Sequence, residues 1–209
     1  QIAGAPMLVH AMKAGAVLEP ARTVVVAGHG YDHVKAAVND FDPDATIVMQ
    51  AEQKGTAHAV DMARDALSDF DGDVIVLFGD TPFVRPETLE KMAAARGESA
   101  VVVLGFEAAD PGKYGRLVMN GSSLEAIVEF ADASDEQRAI TFCNSGVMLA
   151  DREALFAMIS AVEANNAQDE YYLTDIVGIA HKNGLAVTAV ACDEEETLGV
   201  NSRVHLSQA

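Results

Sequence analysis

Cysteine is nearly absent from this chain of 209 residues: Cys143 and Cys192 stand far apart and in no metal-ligand spacing, so both are expected to be buried thiols in a reducing compartment. Basic residues are scarce too, with 14 Lys and Arg against 32 Asp and Glu and a net charge of −18. Such a field repels nucleic acid and anionic membrane surfaces, so neither is expected as a partner. A phosphate-bearing small molecule stays open only through local cations, a bound metal or backbone N–H donors. No apolar run approaches the roughly 18 residues of a membrane span, and no signal-peptide pattern is present, so a cytoplasmic location is expected. Also lacking are a Gly-x-Gly-x-x-Gly or Walker sequence and any defensible Ser/His/Asp or Cys/His arrangement. The six histidines are scattered, and His58 reads as a packed or surface residue rather than a base.

What is present is an alternation of apolar β-branched runs with amphipathic stretches. Thr23–Ala27, Ala45–Met49, Asp73–Phe78 and Ala100–Gly105 read as buried strands. Between them, Tyr31–Asn39, Thr56–Ala66 and Pro86–Ala95 carry helical spacing, and Pro86 suits a first helical turn. A βαβα order with short connections predicts an α/β domain, a mostly parallel sheet flanked by helices. After Gly105 the rhythm changes. Leu117–Met119 and Leu124–Glu129 flank Asn120-Gly121, a hairpin signal, and are followed by a short strand at Val147–Ala150, helices over Arg152–Ala161 and Tyr172–Lys182, and a strand at Ala186–Ala191. This half is expected to add a small mixed or antiparallel lobe.

Ligands of open α/β sheets sit beyond the carboxyl ends of the strands. Asp80, in Phe78-Gly79-Asp80-Thr81-Pro82, directly follows the strongest strand and is placed either to hold a hard cation such as Mg²⁺ or merely to cap the turn before Pro82. Gln50 carries an amide that pairs with a nucleobase edge, Gly55 admits close backbone approach, and Thr56 is a fair N-cap, although an ordinary polar loop has the same composition. Tyr114-Gly115-Arg116, Glu129 and Asn144-Ser145-Gly146 suit the hydroxyls and amide of a sugar, or simple turn and surface roles.

Taken together, Gln50–Ala59 (QAEQKGTAHA), Phe78–Pro82, Asp110–Arg116 (DPGKYGR), Ile127–Glu129, Asp135–Arg138, Asn144–Gly146, Asn165–Asp175 (NNAQDEYYLTD) and Gly199–Arg203 (GVNSR) follow one order. The chain resembles, over nearly its whole length, the N-terminal uridyltransferase domain of the bifunctional GlmU enzymes. The resemblance implies a Rossmann-like nucleotidyltransferase fold, with a nucleotide-binding half over 1–105 and a sugar-binding half over 106–209. It also implies transfer of a uridylyl group from UTP to N-acetylglucosamine 1-phosphate with Mg²⁺ as cofactor. By the same resemblance Asp80 and Asn201 ligate the metal, and Gln50 and Gly55 read the uracil with Thr56 close by. Gly115, Glu129, Asn144 and Thr174 hold the sugar phosphate, with Tyr172 near them.

Two departures accompany the resemblance. The Gly-rich signature that grips the triphosphate is expected just ahead of Gln1, so the chain as written is expected to have little activity. The β-helix acetyltransferase domain, and the trimer interface it carries, is expected beyond Ala209. Phe78 stands where relatives often show tyrosine. Rival readings are a nucleotidyltransferase for another sugar 1-phosphate or for molybdopterin, and a non-catalytic sugar-nucleotide-binding domain.

Overall fold

The longest wholly buried run among the described residues, Ala100–Phe106, sits at the centre of the fold because both faces of its strand are covered. A computed structural model of the protein describes residues 4–199. In chain order the elements are α1 (Met7–Gly15), β1 (Val24–Ala27), α2 (Tyr31–Phe41), β2 (Thr46–Met49), α3 (Thr56–Asp61), β3 (Asp73–Val76), α4 (Pro86–Ala95), β4 (Val101–Glu107) and β5 (Arg116–Asn120). They continue with β6 (Ser123–Val128), α5 (Asp135–Arg138), β7 (Phe142–Asp151), α6 (Arg152–Ile159), α7 (Asp175–Lys182) and β8 (Val187–Cys192).

Local signals account for several boundaries. Pro86 opens α4, where a missing N–H costs nothing. Ser134 and Gln137 close a reciprocal capping box on the short α5, and Asp151 caps α6 by accepting from the Ala154 N–H. Helix α3 is shorter than its periodicity predicts, and Thr56 does not cap it; Gly55 is the N-cap residue, with no side-chain bond.

The strands form a parallel β1–β2 pair and a six-stranded mixed sheet in the order β6-β5-β7-β4-β8, with β3 also on β7. Strands β4 and β8 are parallel, while β7 runs antiparallel to β3, β4 and β5. The antiparallel pairing expected only in a side lobe is therefore central. The reason is the length of β7: it covers ten residues, where the apolar run alone predicts only Val147–Ala150.

Alternation along β4 sorts the core into two layers. Val101 and Val103 face a cluster with Leu155, Phe156, Met158, Ile176 and Val177 of α6 and α7, whereas Val102 and Leu104 face one with Ala14 of α1 and Leu89 and Met92 of α4. Each such buried aliphatic side chain contributes about 1.5–3 kcal/mol, which gives the strand ends a stiff support. The larger cluster draws on Ala57 and Leu67 as well as Leu117 and Leu173, so early and late parts of the chain share one core. Among the described residues no helix is long and apolar enough to cross a membrane.

Candidate active site

Gly28 and His29 after β1, Gln53 after β2, and Gly79 and Asp80 after β3 line one cleft of about 810 Å³, where strand-end ligands are expected. Apolar side chains of β1 (Val24, Val26) and of the β3 segment (Ile75, Leu77) form its walls. Asp80 is half-buried there, and its carboxylate makes no hydrogen bond or ion pair among the described residues. The turn before Pro82 is closed instead by Thr81, whose hydroxyl donates to the Phe78 carbonyl at 3.0 Å and whose N–H reaches the same oxygen at 3.3 Å. Turn-capping thus explains nothing about Asp80, and its oxygens are left for a ligand. No cluster of three His, Cys, Asp or Glu side chains that could enclose a metal occurs among the described residues. A lone strand-end carboxylate fits Mg²⁺, which keeps several waters and takes its other oxygens from phosphates. Asn201, the second expected metal ligand, lies outside the described residues.

Gln50 leaves β2 beside β1, its N–H donating to the Ala27 carbonyl at 2.9 Å. The side-chain amide nitrogen of Gln50 faces the Gly55 carbonyl at 3.5 Å and His58 Nδ1 at 2.9 Å. Gly55 has φ +111°, and a Cβ there would come within 2.5 Å of the Tyr171 carbonyl oxygen and 2.7 Å of its nitrogen. Only glycine fits. The Tyr171 N–H donates to the Lys54 carbonyl at 2.8 Å, and the Tyr171 carbonyl accepts from Ala57 N–H at 2.9 Å. Thr56 finds its use here: its hydroxyl accepts the Leu173 N–H at 2.9 Å. Residues 172–174, predicted as the first turn of a helix, instead lie along the 54–57 loop with Leu173 and Thr174 in a turn, and α7 begins only at Asp175.

The same segment delivers Tyr172 and Thr174 to a second group of polar residues. The Thr174 hydroxyl donates to Glu129 Oε1 at 3.0 Å. Gly115 lies against this carboxylate: a Cβ on it would sit 3.4 Å from Oε2 and 3.5 Å from Oε1. Asn144 joins through its N–H, which donates to the Gly115 carbonyl at 2.8 Å, while its side-chain oxygen accepts from Gly146 N–H at 3.0 Å. Burial, followed by the nearby Asp175 and Asp132 carboxylates, pushes the Glu129 carboxyl above its ordinary range despite the bond from Thr174. Tyr172 is 8% exposed, and its phenol oxygen is buried with no hydrogen-bond partner among the described residues. Burial, then Asp132 and Glu129, pushes that phenol up as well, so it is a neutral O–H donor in an acidic setting.

A bulge in β7 aims Asn144. The β4–β7 register shifts between Val103 and Gly105, Ser145 donates its hydroxyl to the Leu104 carbonyl at 2.7 Å, and Gly146 adopts φ +93°. Bulges redirect side chains at site edges. Phe78 seals this one from below, because a Cβ on Gly146 would approach its ring to 2.8 Å.

Arg116, expected within Tyr114-Gly115-Arg116 to suit a sugar or to serve in a turn or at the surface, is instead almost wholly buried and donates to the carbonyls of Pro111, Tyr114, Gly112 and Arg138. It clamps the loop that presents Gly115. Its position at the start of an apolar strand, where a solvated arginine has no place, was the available signal. Two other contributors were not read as such: the Tyr171 backbone, which carries no sequence signature, and His58 as a partner of Gln50.

A model of the MobA-like NTP transferase domain matches residues 1–169. The chain belongs to that family. Curated relatives agree with the resemblance read from the motifs: Bifunctional protein GlmU of Ruegeria pomeroyi is 67% identical over 208 residues, and that of Ruegeria sp. TM1040 is 60% identical over 209. Each match takes in 100% of this chain and 46% of the relative, so the chain spans about half the length of these proteins. Solved structures of the same fold include a nucleoside-diphosphate-sugar pyrophosphorylase from Vibrio cholerae (TM-score 0.74, 13% identity, 100% of this chain and 88% of that one). Another is a UDP-glucose pyrophosphorylase bound to UDP-glucose (TM-score 0.75, 14% identity, 97% and 84%). This family's nucleotidyltransferase fold, a mixed sheet flanked by helices, is the one described above.

Proposed function

We propose that the chain carries the uridylyl-transfer activity that makes UDP-N-acetylglucosamine and pyrophosphate from UTP and N-acetylglucosamine 1-phosphate. The observation that carries the reading is the buried Tyr172 phenol, without a partner among the described residues, set near the Glu129 carboxylate. A buried donor left unpaired costs about 1–3 kcal/mol, so a ligand acceptor there gains what the protein forgoes. Thr174 occupies Glu129 Oε1 and leaves Oε2 to accept an amide N–H or a hydroxyl. Gly115, lacking a side chain, keeps that carboxylate face open. An N-acetylated sugar supplies acceptors for the phenol and donors for the carboxylate at once.

Charge then orients the substrate. Glu129, Asp132 and Asp175 repel a phosphate, so the phosphate end points away from them and toward the Asp80 cleft. Asp80, with Asn201, would hold Mg²⁺, which when bound offsets the negative charge of the substrate phosphates. Gln50, Gly55 and Thr56 hold the uracil end. A sugar-phosphate oxygen displaces pyrophosphate at the α-phosphorus in line, and no side chain forms a covalent bond; alignment carries the rate. In the same proposal the protein works in the cytoplasm and assembles as a trimer through a β-helix domain outside this chain.

The test is pyrophosphate release by the product of the whole gene, with UTP, Mg²⁺ and either N-acetylglucosamine 1-phosphate or glucose 1-phosphate. Turnover at least about tenfold faster with the N-acetylated sugar is expected, as one hydrogen bond to a charged group is worth about 1.5–3 kcal/mol. Equal use of both sugars would remove the Glu129–Tyr172 argument, and no turnover with either would sink the reading.

A further inference from the structure

Burying a guanidinium is costly, yet Arg116, at 2% exposure, is the largest fully buried side chain among the described residues. All its hydrogen-bond partners among them are backbone carbonyls. Nε and Nη2 both donate to the Arg138 carbonyl at 3.3 Å, Nη2 donates to that of Gly112 at 3.0 Å, and Nη1 donates to those of Pro111, at 3.3 Å, and Tyr114. The same guanidinium lies over the Phe130 ring, 5.7 Å from its centroid, and that of Arg138 lies over the same ring at 4.7 Å. These contacts bracket the residues given to the sugar. Glu129 follows Val128, whose backbone pairs with that of Arg116, and precedes Phe130. Gly115 stands between Arg116 and Tyr114, whose carbonyl the guanidinium holds. Asn144 follows Cys143, the register partner of Arg116 on β7, and donates its N–H to the Gly115 carbonyl.

We propose that Arg116 is a positioning residue that sets the gap between Gly115 and the Glu129 carboxylate, and through it the preference for an N-acetylated sugar. The proposal rests on the reading above that this carboxylate accepts from the sugar. Any residue at this place would make the strand pairing, but the carbonyl and ring contacts need a planar fork of donors, which only arginine has. The gap is narrow: a Cβ on Gly115 would sit 3.4 and 3.5 Å from the two carboxylate oxygens. A recognition geometry of this kind tolerates displacements of only about 0.5 Å. The two sugars feel such a displacement differently. An acetamido N–H is fixed in the plane of its amide and loses a carboxylate that moves aside. A hydroxyl turns about its C–O bond and follows it. Loosening the gap therefore costs the N-acetylated sugar more than glucose.

The experiment measures kcat/KM for N-acetylglucosamine 1-phosphate and glucose 1-phosphate, and KM for UTP, in the product of the whole gene and in two variants. Arg116→Lys keeps the charge but replaces the fork by a single head. Phe130→Leu keeps every carbonyl bond and removes only the ring. Arg116→Lys is expected to lower the ratio of the two sugars about tenfold, the worth of one discriminating hydrogen bond to a charged group. Phe130→Leu is expected to lower it about threefold, the scale of one cation–π contact. KM for UTP should stay unchanged in both, because the seam at residues 54–57 is not touched. A merely structural arginine predicts something else: partial unfolding lowers the turnover of both sugars together and leaves their ratio intact. An unchanged ratio in Arg116→Lys, or a KM for UTP that rises as much as that for the sugar phosphate, overturns the proposal. If Arg116→Lys gives no folded protein, Phe130→Leu decides by the same criterion. A parent protein without preference for the N-acetylated sugar overturns the reading of Glu129 itself, whereas a preference that survives in Arg116→Lys overturns the role of Arg116 alone.

Discussion

Around Glu129 the polar groups are buried or half-buried, linked by hydrogen bonds and shifted by burial and then by mutual repulsion, whereas around Asp80 the carboxylate stands clear in a broad cleft. The two regions share a seam, the backbone of Tyr171 laid along residues 54–57. On the proposed function the contrast follows from what each must meet. A neutral polyol is recognised by a prearranged set of donors and acceptors, and prearrangement requires burial and a bulge to aim Asn144. A polyphosphate with its cation needs room and an unengaged oxygen, and tight packing would exclude both. Activity and stability should therefore respond differently to changes in the two regions.

Asp80→Asn should separate them most sharply. Turnover is expected to fall about a hundredfold or more, the scale of losing one electrostatic stabiliser of a reacting group, while the melting temperature stays within the scatter of surface substitutions because Asp80 supports nothing else. A thermal loss as large as that of a core truncation would show that the carboxylate is structural. At the seam, Gly55→Ala should damage both sides together: the new methyl meets the Tyr171 backbone at 2.5 Å on a residue with φ +111°. Denaturant unfolding should show a loss of about 1–3 kcal/mol, with poorer KM for nucleotide and sugar phosphate alike. An effect on the nucleotide only would mean that the two loops move independently.

Glu129→Gln is the mildest change and tests the acidic side. KM for the sugar phosphate should rise about tenfold, yet stability at neutral pH should not fall. The sign follows from the raised carboxyl. The folded state binds this proton more tightly than the unfolded chain, so the native protein is favoured at low pH and loses stability as pH climbs from the ordinary carboxylate range through the raised one. Removing the charge relieves that cost, and glutamine still accepts from Thr174. Melting curves should place the variant above the parent at pH 7, with the gap closing near pH 4, about the unfolded carboxyl value. A gap that persists at low pH would assign the effect to packing rather than charge.

Much of the architecture was legible because it is local. Pro86–Ala95 starts and stops where Pro86 and the apolar spacing say it should, and Asn120-Gly121 does turn a hairpin between β5 and β6. The two elements that misled are those made by distant contacts. Asn144-Ser145-Gly146 looks like a break in sequence but lies within β7, since Ser145 bonds a carbonyl of the neighbouring strand and Gly146 takes the bulge. Tyr172 has helical spacing with Ile176 and Val177, yet the helix starts only at Asp175, because the Lys54 carbonyl and the Ala57 N–H take up the Tyr171 backbone just before it. The candidate site divides likewise. Asp80 was placed correctly at a strand end, where it lines the cleft with its carboxylate clear of the turn before Pro82. Arg116 as a clamp and His58 as a partner of Gln50 were not legible, because a side chain's partners are set by packing.

By itself the sequence determined the alternation of strands and helices, the family resemblance in its ordered motifs, and a short list of candidate site residues, because periodicity and residue chemistry are written along the chain. Tertiary structure alone decided that β7 runs antiparallel through the middle of the sheet, that the Tyr172 hydroxyl is buried without a partner among the described residues, and that the Gln50 amide nitrogen meets the Gly55 carbonyl and His58. Those outcomes depend on which groups, remote in sequence, compete for the same hydrogen bond or the same volume, and that competition exists only once the chain has folded.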